Sequence, residues 1–457
     1  MDIIDLLNKR KVELFKSSAD IRKNISKIID DDSFVELNAF SFSKNEFNNE
    51  EQNGLGVVTG FATIEGYPVY VVAQNGNVLS GGLSKANCDK ICNCLNKALE
   101  SQTAVLYLLD SKGVQVGECI AVLEGIAKIL ALSNALKEVA PQFAVAVGDV
   151  YGSFALLASN CDYAYSVNNA CVSYASPSIV VASANGAITK DGVGGKDSKN
   201  GVNTFVLNAI DDVKESIIKV LDVLPSASGL NVECNDDLNR SELKLNTTKN
   251  AKLLIDAIYD KGSFIELNSK FASEVITGIG RVGGISTAVI LFDGLEKGVE
   301  LDLNCVLKIK NFASYCYDNG FPLLNLVNTV GIKQDAVTAT SPILTEISNM
   351  LYNLSSLKSI SVVYGKAIGF GYTAFVSREF GNAYTFAFAD AKISLFDKTL
   401  GASATFGTIE QEKLNELEQK YEDMQDAFNS AKLGCVDNII EPQFVRQHII
   451  MALQSII

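Results

Sequence analysis

The sequence predicts an α/β protein made of two tandem copies of one unit, and three matched stretches predict it. "IIDDDSFVEL" (28–37) returns as "IYDKGSFIEL" (258–267), with six of ten letters identical. "GVVTGFATIEGYPVYVVAQNG" (56–76) answers "EVITGIGRVGGISTAVILFDG" (274–294), and "AVAVGDVYGSFA" (144–155) answers "SVVYGKAIGFGY" (361–372). Ordered landmarks at a steady spacing are the signature of duplication. The spacing is 230 for the first pair and then 218 and 217, so about a dozen loop residues differ between the first and second landmarks. Domains of 1–228 and 229–457 follow, joined within "LPSASGLNVECNDD" (224–237), a run of turn-forming residues.

Each element follows from periodicity. "YPVYVVAQ" (67–74), "TAVLYLLD" (103–110) and "QFAVAVGD" (142–149) are short, Val- and Tyr-rich and strand-like. Between them, "SKANCDKICNCLNKALES" and "GECIAVLEGIAKILALSNALKEV" repeat apolar residues at three and four, the helical spacing. The second half repeats the order with "STAVILFDG", a helix from about Asp302 to Asn319, "PLLNLVN", a helix near Pro342 to Leu354, and "SISVVYG". Strand, helix, strand in this rhythm predicts right-handed crossovers and a mainly parallel sheet. "ASANGAITKDGVGGKDSKNG" (182–201) reads as a surface loop, and it lacks the spacing of a nucleotide P-loop. Near the end, Leu414, Leu417, Tyr421, Met424 and Phe428 predict one solvated helix with a single packing face.

Composition excludes several classes. A hydrophobic share of 47% with 20% charged residues is globular, and a net charge of -14 repels a nucleic-acid backbone. The acidic start "MDIIDLLNKRKVELF" is not a secretory signal, and Glu124 and Lys128 interrupt the longest apolar stretch. A cytoplasmic protein without direct membrane insertion is expected. Ten cysteines then read as reduced thiols, with Cys88 and Cys92 on one helical face and no paired CxxC spacing for a metal. The single histidine, His448, leaves a Ser-His-acid triad elsewhere without a base and excludes a histidine-based metal site.

Chemistry is therefore expected from backbone amides, carboxylates or a cofactor. In "VAVGDVYGSFALLA" and "VVYGKAIGFGYTAF" a Val-rich strand meets one glycine and, four residues on, a second where a helix should start. Unpaired N–H groups at a helix start can hold an oxyanion, and glycine lets a ligand approach them. The other reading is that the glycines serve only tight strand-to-helix packing.

These motifs, with "GVVTGFATIEGYPVYVVAQNGNVLSGGLSKAN", "LLDSKGVQVGE", "APQFAVAVGDVYGS" and "LGCVDNIIEP" followed by Arg446, resemble the biotin-dependent acyl-CoA carboxyltransferases over almost the whole chain. That family includes propionyl-CoA and acetyl-CoA carboxylase beta subunits, transcarboxylase 12S, and the alpha subunits of glutaconyl-CoA and methylmalonyl-CoA decarboxylases. The resemblance implies two crotonase-like domains of the ClpP/crotonase superfamily, in a homo-oligomer built from dimer units, up to a hexamer, with each site between domains of different chains. It implies no side-chain base: the biotin ureido nitrogen takes the α-proton of a CoA thioester, and the protein steadies two oxyanions. By motif position the donors are the amides of Gly152 and Ser153 and those of Phe370 and Gly371. Gly113, Gly148, Gly369 and Thr373 are implied at the acyl-CoA, and Gly331 and Gly365 at biotin, with no metal.

This chain departs from the family pattern at several places. Lys112 stands for a glycine, Gln115 for an arginine, Asn328 and Val330 for Asp and Pro, Ser153 for a glycine, and Phe370 and Gly371 for Gly and Ala. Met1, Met350, Met424 and Met451 all lie outside a biotinyl Met-Lys-Met setting, so biotin is expected on a separate carrier protein. A biotin carboxylase or membrane decarboxylase subunit is the further implied partner. The departures motivate a noncatalytic scaffold as the alternative, and a hydratase-like reading would need a placed carboxylate, with Glu118 the obvious candidate in the first half.

Overall fold

A computed structural model describes residues 2–44, 51–53, 56–114, 116–118, 120–247, 250–406 and 411–457. Gln115 lies outside them. The chain divides into two compact units, 1–218 and 219–457.

Each unit is built on one twisted sheet with the same strand order. In the first, Val35–Leu37, Val57–Ile64 and Tyr67–Gln74 pair antiparallel; Ala104–Ser111, Gln142–Tyr151, Tyr163–Val167 and Phe205–Leu207 continue the sheet in parallel. In the second, the antiparallel start is Ile265–Leu267, Val275–Val282 and Ile285–Phe292. Leu323–Ile332, Ser359–Ile368, Asn382–Phe388 and Asn438–Ile440 follow in parallel. Short strands Val172–Ser173 and Lys392–Ser394 lie beside the ends of Gln142–Tyr151 and Ser359–Ile368 respectively. The registers repeat too: Glu36 faces Gly60 as Glu266 faces Gly278. The dozen-residue difference therefore falls between Leu37 and Val57.

The repeated decapeptide has a physical reason at four of its six shared letters. Asp30 accepts from the N–H groups of Glu65 (2.8 Å) and Gly66 (2.9 Å), and Asp260 from those of Gly283 (2.9 Å) and Gly284 (2.8 Å). These are hairpin turns whose four residues have positive φ, so an acceptor holds N–H groups that the ladder cannot use. A cation from a late helix completes each cluster: Lys214 Nζ lies 2.9 Å from Asp30, and Arg446, 1% exposed, lies 2.6 Å from Asp260. Ser33 and Ser263 accept from the N–H groups of Thr63 and Arg281. Phe34 and Phe264 lie so close over Gly60 and Gly278 that a Cβ there would meet the rings at 2.4 and 2.5 Å. Ile28 and Ile258 are fully buried.

Helix Lys85–Ser101 starts at Ser84, whose hydroxyl accepts from Asn87 N–H, and buries Cys88, Ile91, Cys92, Leu95 and Ala98. Cys88 and Cys94 are fully buried core residues, and that burial pushes their thiols up to about 12. Helix Ile120–Lys137 comes close at Gly125, where a Cβ would sit 2.5 Å from that of Cys88. The second unit repeats the arrangement with Leu303–Asp318, capped by Asp302. Lys90 and Lys308, 218 residues apart, are 3% and 4% exposed; Lys90 donates to Val57 O, and Lys308 to the carbonyls of Asn268, Phe271 and Ala272.

The predicted late helix is corrected. It ends at Met424, Gln425 turns inward to donate to Phe396 O, and a second helix, Ala427–Lys432, starts from Asp426. Tyr421 is buried, but Met424 and Phe428 are 58% and 50% exposed, so the apolar stripe is not one packing face. In the 182–201 segment, a short helix, Lys190–Val193, sits where only loop was expected, and Lys190 Nζ is 2.9 Å from Asp149.

Candidate active site

In both units a parallel strand runs into a positive-φ glycine and then a helix. Gly152 (φ 66°) precedes Ser153–Asn160, and Gly369 (φ 52°) precedes Phe370–Phe375. An L side chain resists that backbone, which is why glycine stands at both turns. The carbonyls of Gly152 and Gly369 accept the first helical bonds, from Leu156 (3.1 Å) and Thr373 (3.3 Å).

Their own N–H groups are spent. Gly152 N–H donates to Ser173 O at 3.1 Å and Gly369 N–H to Ser394 O at 2.8 Å, across the short flanking strands. The expectation that the Gly152 amide holds an oxyanion is corrected on this ground: the free pair in the first unit is one residue later, Ser153 and Phe154. The matching pair in the second unit is Phe370 and Gly371. Among the described residues none of these four N–H groups has an acceptor, as a helix's first turn requires.

In the second unit a glycine of the neighbouring strand clears the space ahead. A Cβ on Gly331 (φ 92°) would stand 3.8 Å from the Phe370 nitrogen and 3.9 Å from that of Gly371. Gly113, 218 residues earlier and also at positive φ, has nothing within 4 Å of a Cβ position. Gly148 and Gly365 have a different role. A Cβ on Gly148 would meet Asp110 Cγ at 2.3 Å, and one on Gly365 would meet Asn328 Oδ1 at 2.4 Å, so each seats a side chain of the adjoining strand. Asn328 donates to Leu295 O at 2.6 Å and accepts from Lys366 N–H at 3.0 Å. Burial raises the Asp110 carboxyl, with Lys112 opposing and Asp149 adding to the rise.

The remaining expected residues are placed as follows. Thr373 is exposed in the first turn of its helix, and Phe370 is half-buried. Glu118 accepts from Lys85 N–H at the start of helix Lys85–Ser101, so a helix terminus occupies the carboxylate that a hydratase would need. His448 sits against Phe386 with its Nδ1 3.0 Å from Phe444 O. Among the described residues no group of three His, Cys, Asp or Glu is placed to hold a metal ion, and no helix is long and apolar enough to cross a membrane.

Residues 16–457 match the family model of the carboxyl transferase domain. The chain belongs to that family. It is 28% identical to the methylmalonyl-CoA decarboxylase subunit alpha of Veillonella parvula, over 94% of this chain and 89% of the relative. It is 27% identical to the methylmalonyl-CoA carboxyltransferase 12S subunit of Propionibacterium freudenreichii subsp. shermanii, over 95% and 87%. The fold matches the crystal structure of transcarboxylase 12S, a hexamer with methylmalonyl-coenzyme A bound, at a TM-score of 0.90, 24% identity and coverage of 99% and 95%. The carboxyl transferase domain of this chain is thus two α/β units of one strand order in tandem, and the amide turns are their repeated feature.

Proposed function

We propose that this chain is the carboxyltransferase subunit of a biotin-dependent acyl-CoA carboxylase or decarboxylase. Family membership along nearly the whole chain supports this, and the observation that carries it is the free amide pair ahead of a glycine-cleared space in the second unit. Biotin, arriving on a separate carrier protein, supplies the carboxyl group and the ureido nitrogen that takes the substrate proton. The protein's task is then electrostatic. The Ser153 and Phe154 amides accept the growing negative charge of the thioester oxygen, and those of Phe370 and Gly371 hold the ureido oxygen. Donors fixed by a helix start need no reorganisation as charge develops, and each contributes about 3 kcal/mol in a dry site. Phe370 narrows the ureido side and sets which biotin presentation fits. The working form is a cytoplasmic homo-oligomer serving a biotin carboxylase or a membrane decarboxylase subunit.

The test is carboxyl transfer from malonyl-CoA or methylmalonyl-CoA to free biotin, with Ser153→Pro and Ser153→Ala compared. Proline is tolerated at the first helical position and deletes only the N–H. Ser153→Pro should lower kcat about 100-fold or more, while Ser153→Ala, which keeps the amide, stays within about threefold. Equal rates in both would remove the first amide pair from the mechanism. Absence of turnover with any short acyl-CoA, alongside coenzyme A binding, would favour a noncatalytic scaffold.

A further inference from the structure

The end of strand Ser359–Ile368 carries a second arrangement, separate from the amide turn. Lys366 and Lys392 are register partners across the parallel pair with Lys392–Ser394, so their side chains leave one face of the sheet side by side. Both line a cavity of about 940 Å³, together with Lys297, Glu296, Asp390 and Asn328. Like charges directly opposite one another destabilise a sheet unless a counter-charge sits between them. Lys366 Nζ donates to the Lys297 carbonyl at 3.2 Å, and among the described residues no salt bridge reaches Lys297, Lys366 or Lys392. With Glu296 and Asp390 counted, the described residues of the lining still hold three ammonium groups against two carboxylates.

Duplication supplies the internal control. At the matching places in the first unit stand Leu79, Asp149 and Cys171. There Asp149 is satisfied by Lys190 (2.9 Å), Tyr151 (2.8 Å) and the N–H of Cys171 (3.0 Å). The fold therefore does not need lysines here; the second copy carries them in a chain whose net charge is -14.

We propose that this cavity binds a phosphate-bearing anion, with Lys366 and Lys392 as its paired ligands and Lys297 as a third. Mobile point charges without a guanidinium suit a multiply charged phosphate better than a single planar carboxylate. The volume lies at the upper end of ligand pockets and admits a nucleotide-sized molecule. Two sources share this chemistry: the pyrophosphate of a coenzyme A thioester, which rests on the function proposed above, and a free nucleoside diphosphate, which does not.

The experiment uses the full chain at fixed ionic strength, with sodium pyrophosphate, ADP, coenzyme A and pantetheine, read by calorimetry and thermal unfolding. Pyrophosphate should bind and raise Tm, and the Lys366→Met, Lys392→Met double variant should bind at least tenfold more weakly. Without anion, Lys392→Met should raise Tm, because it removes the repulsion; a merely structural lysine would give the opposite sign. Binding of coenzyme A but not pantetheine or ADP assigns the substrate as source, and binding of ADP assigns a separate ligand. Equal pyrophosphate binding by wild type and double variant, no binding below about 10 mM, or a lower Tm in Lys392→Met would overturn the proposal. Those results with intact carboxyl transfer leave the proposed function standing, while pyrophosphate binding without any turnover does the reverse.

Discussion

Gly331→Ala tests the second amide pair most directly. The added methyl would stand 3.8 and 3.9 Å from the Phe370 and Gly371 nitrogens and 3.3 Å from Ile368 O. An oxygen accepting from both amides must sit about 2.9 Å from each nitrogen, so the methyl intrudes on the volume that oxygen needs. Loss of one donor lowers kcat about 100- to 1000-fold, or about 3–4 kcal/mol. The same change places alanine at φ 92°, a strain of about 1–2 kcal/mol, which lowers Tm by several degrees in a unit of this size. Gly320→Ala is the matched control: φ is 71°, nothing lies within 4 Å of its Cβ position, and the site is remote from any amide turn. Both variants should lose similar Tm, and only Gly331→Ala should lose carboxyl transfer to free biotin. If Gly331→Ala turns over within about threefold of Gly320→Ala, no reacting oxygen lies against Phe370 and Gly371.

Asp260→Ala leaves Arg446, which is 1% exposed, with only Asp236 at 3.9 Å as a counter-charge among the described residues and should cost about 3 kcal/mol in urea unfolding; Asp30→Ala should cost less, since Lys214 and Asp30 are partly exposed. Burial alone would raise the Asp30 carboxyl, but bonds from Gly66, Lys214, Thr63 and Glu65 outweigh it and hold it far below the usual range. Its stabilisation is therefore present above about pH 4 and lost as pH falls further, a loss that acid titration of Asp30→Asn should lack. Burial lowers Lys90 and Lys308 to about 8, against the opposing charges of Glu36 and Glu266 respectively. The unfolded chain then holds more protons between about pH 8 and 10.5, so stability should rise with pH there, by at most about 1.4 kcal/mol per lysine per unit, and Lys308→Met should flatten the rise. Phe370→Gly should lower KM for free biotin while leaving kcat within about threefold; an unchanged KM would mean that the ring does not face biotin.

Much of the architecture was legible because burial imposes periodicity: the strands and the two helices of each half lie where Val-rich runs and three-four spacing put them. The duplication was legible because Asp30 and Asp260, Phe34 and Phe264, and the paired glycines perform local jobs that few substitutions allow. The exact donor was not legible. Gly152 lost its N–H to Ser173 through a two-residue strand, Val172–Ser173, too short to leave a pattern. The late helix was misjudged because spacing cannot reveal that Gln425 turns inward. The buried Lys90 and Lys308 were missed although their 218-residue separation was a usable signal, since a lysine in a helix reads as solvated unless its counterpart is sought.

The aspartate at each hairpin turn has a consequence for synthesis. Lys214 and Arg446 follow Asp30 and Asp260 by 184 and 186 positions, so the first ribbon of each unit waits for almost the last segment of that unit to leave the ribosome. Stalled nascent chains ending near residue 205 should remain protease-sensitive at that ribbon, whereas those long enough to expose Lys214 beyond the exit tunnel should resist; early resistance would show that the ribbon closes without its cation. Each half thus matures by an end-to-start latch, and a truncation just ahead of either basic residue would release an unfinished edge to aggregation.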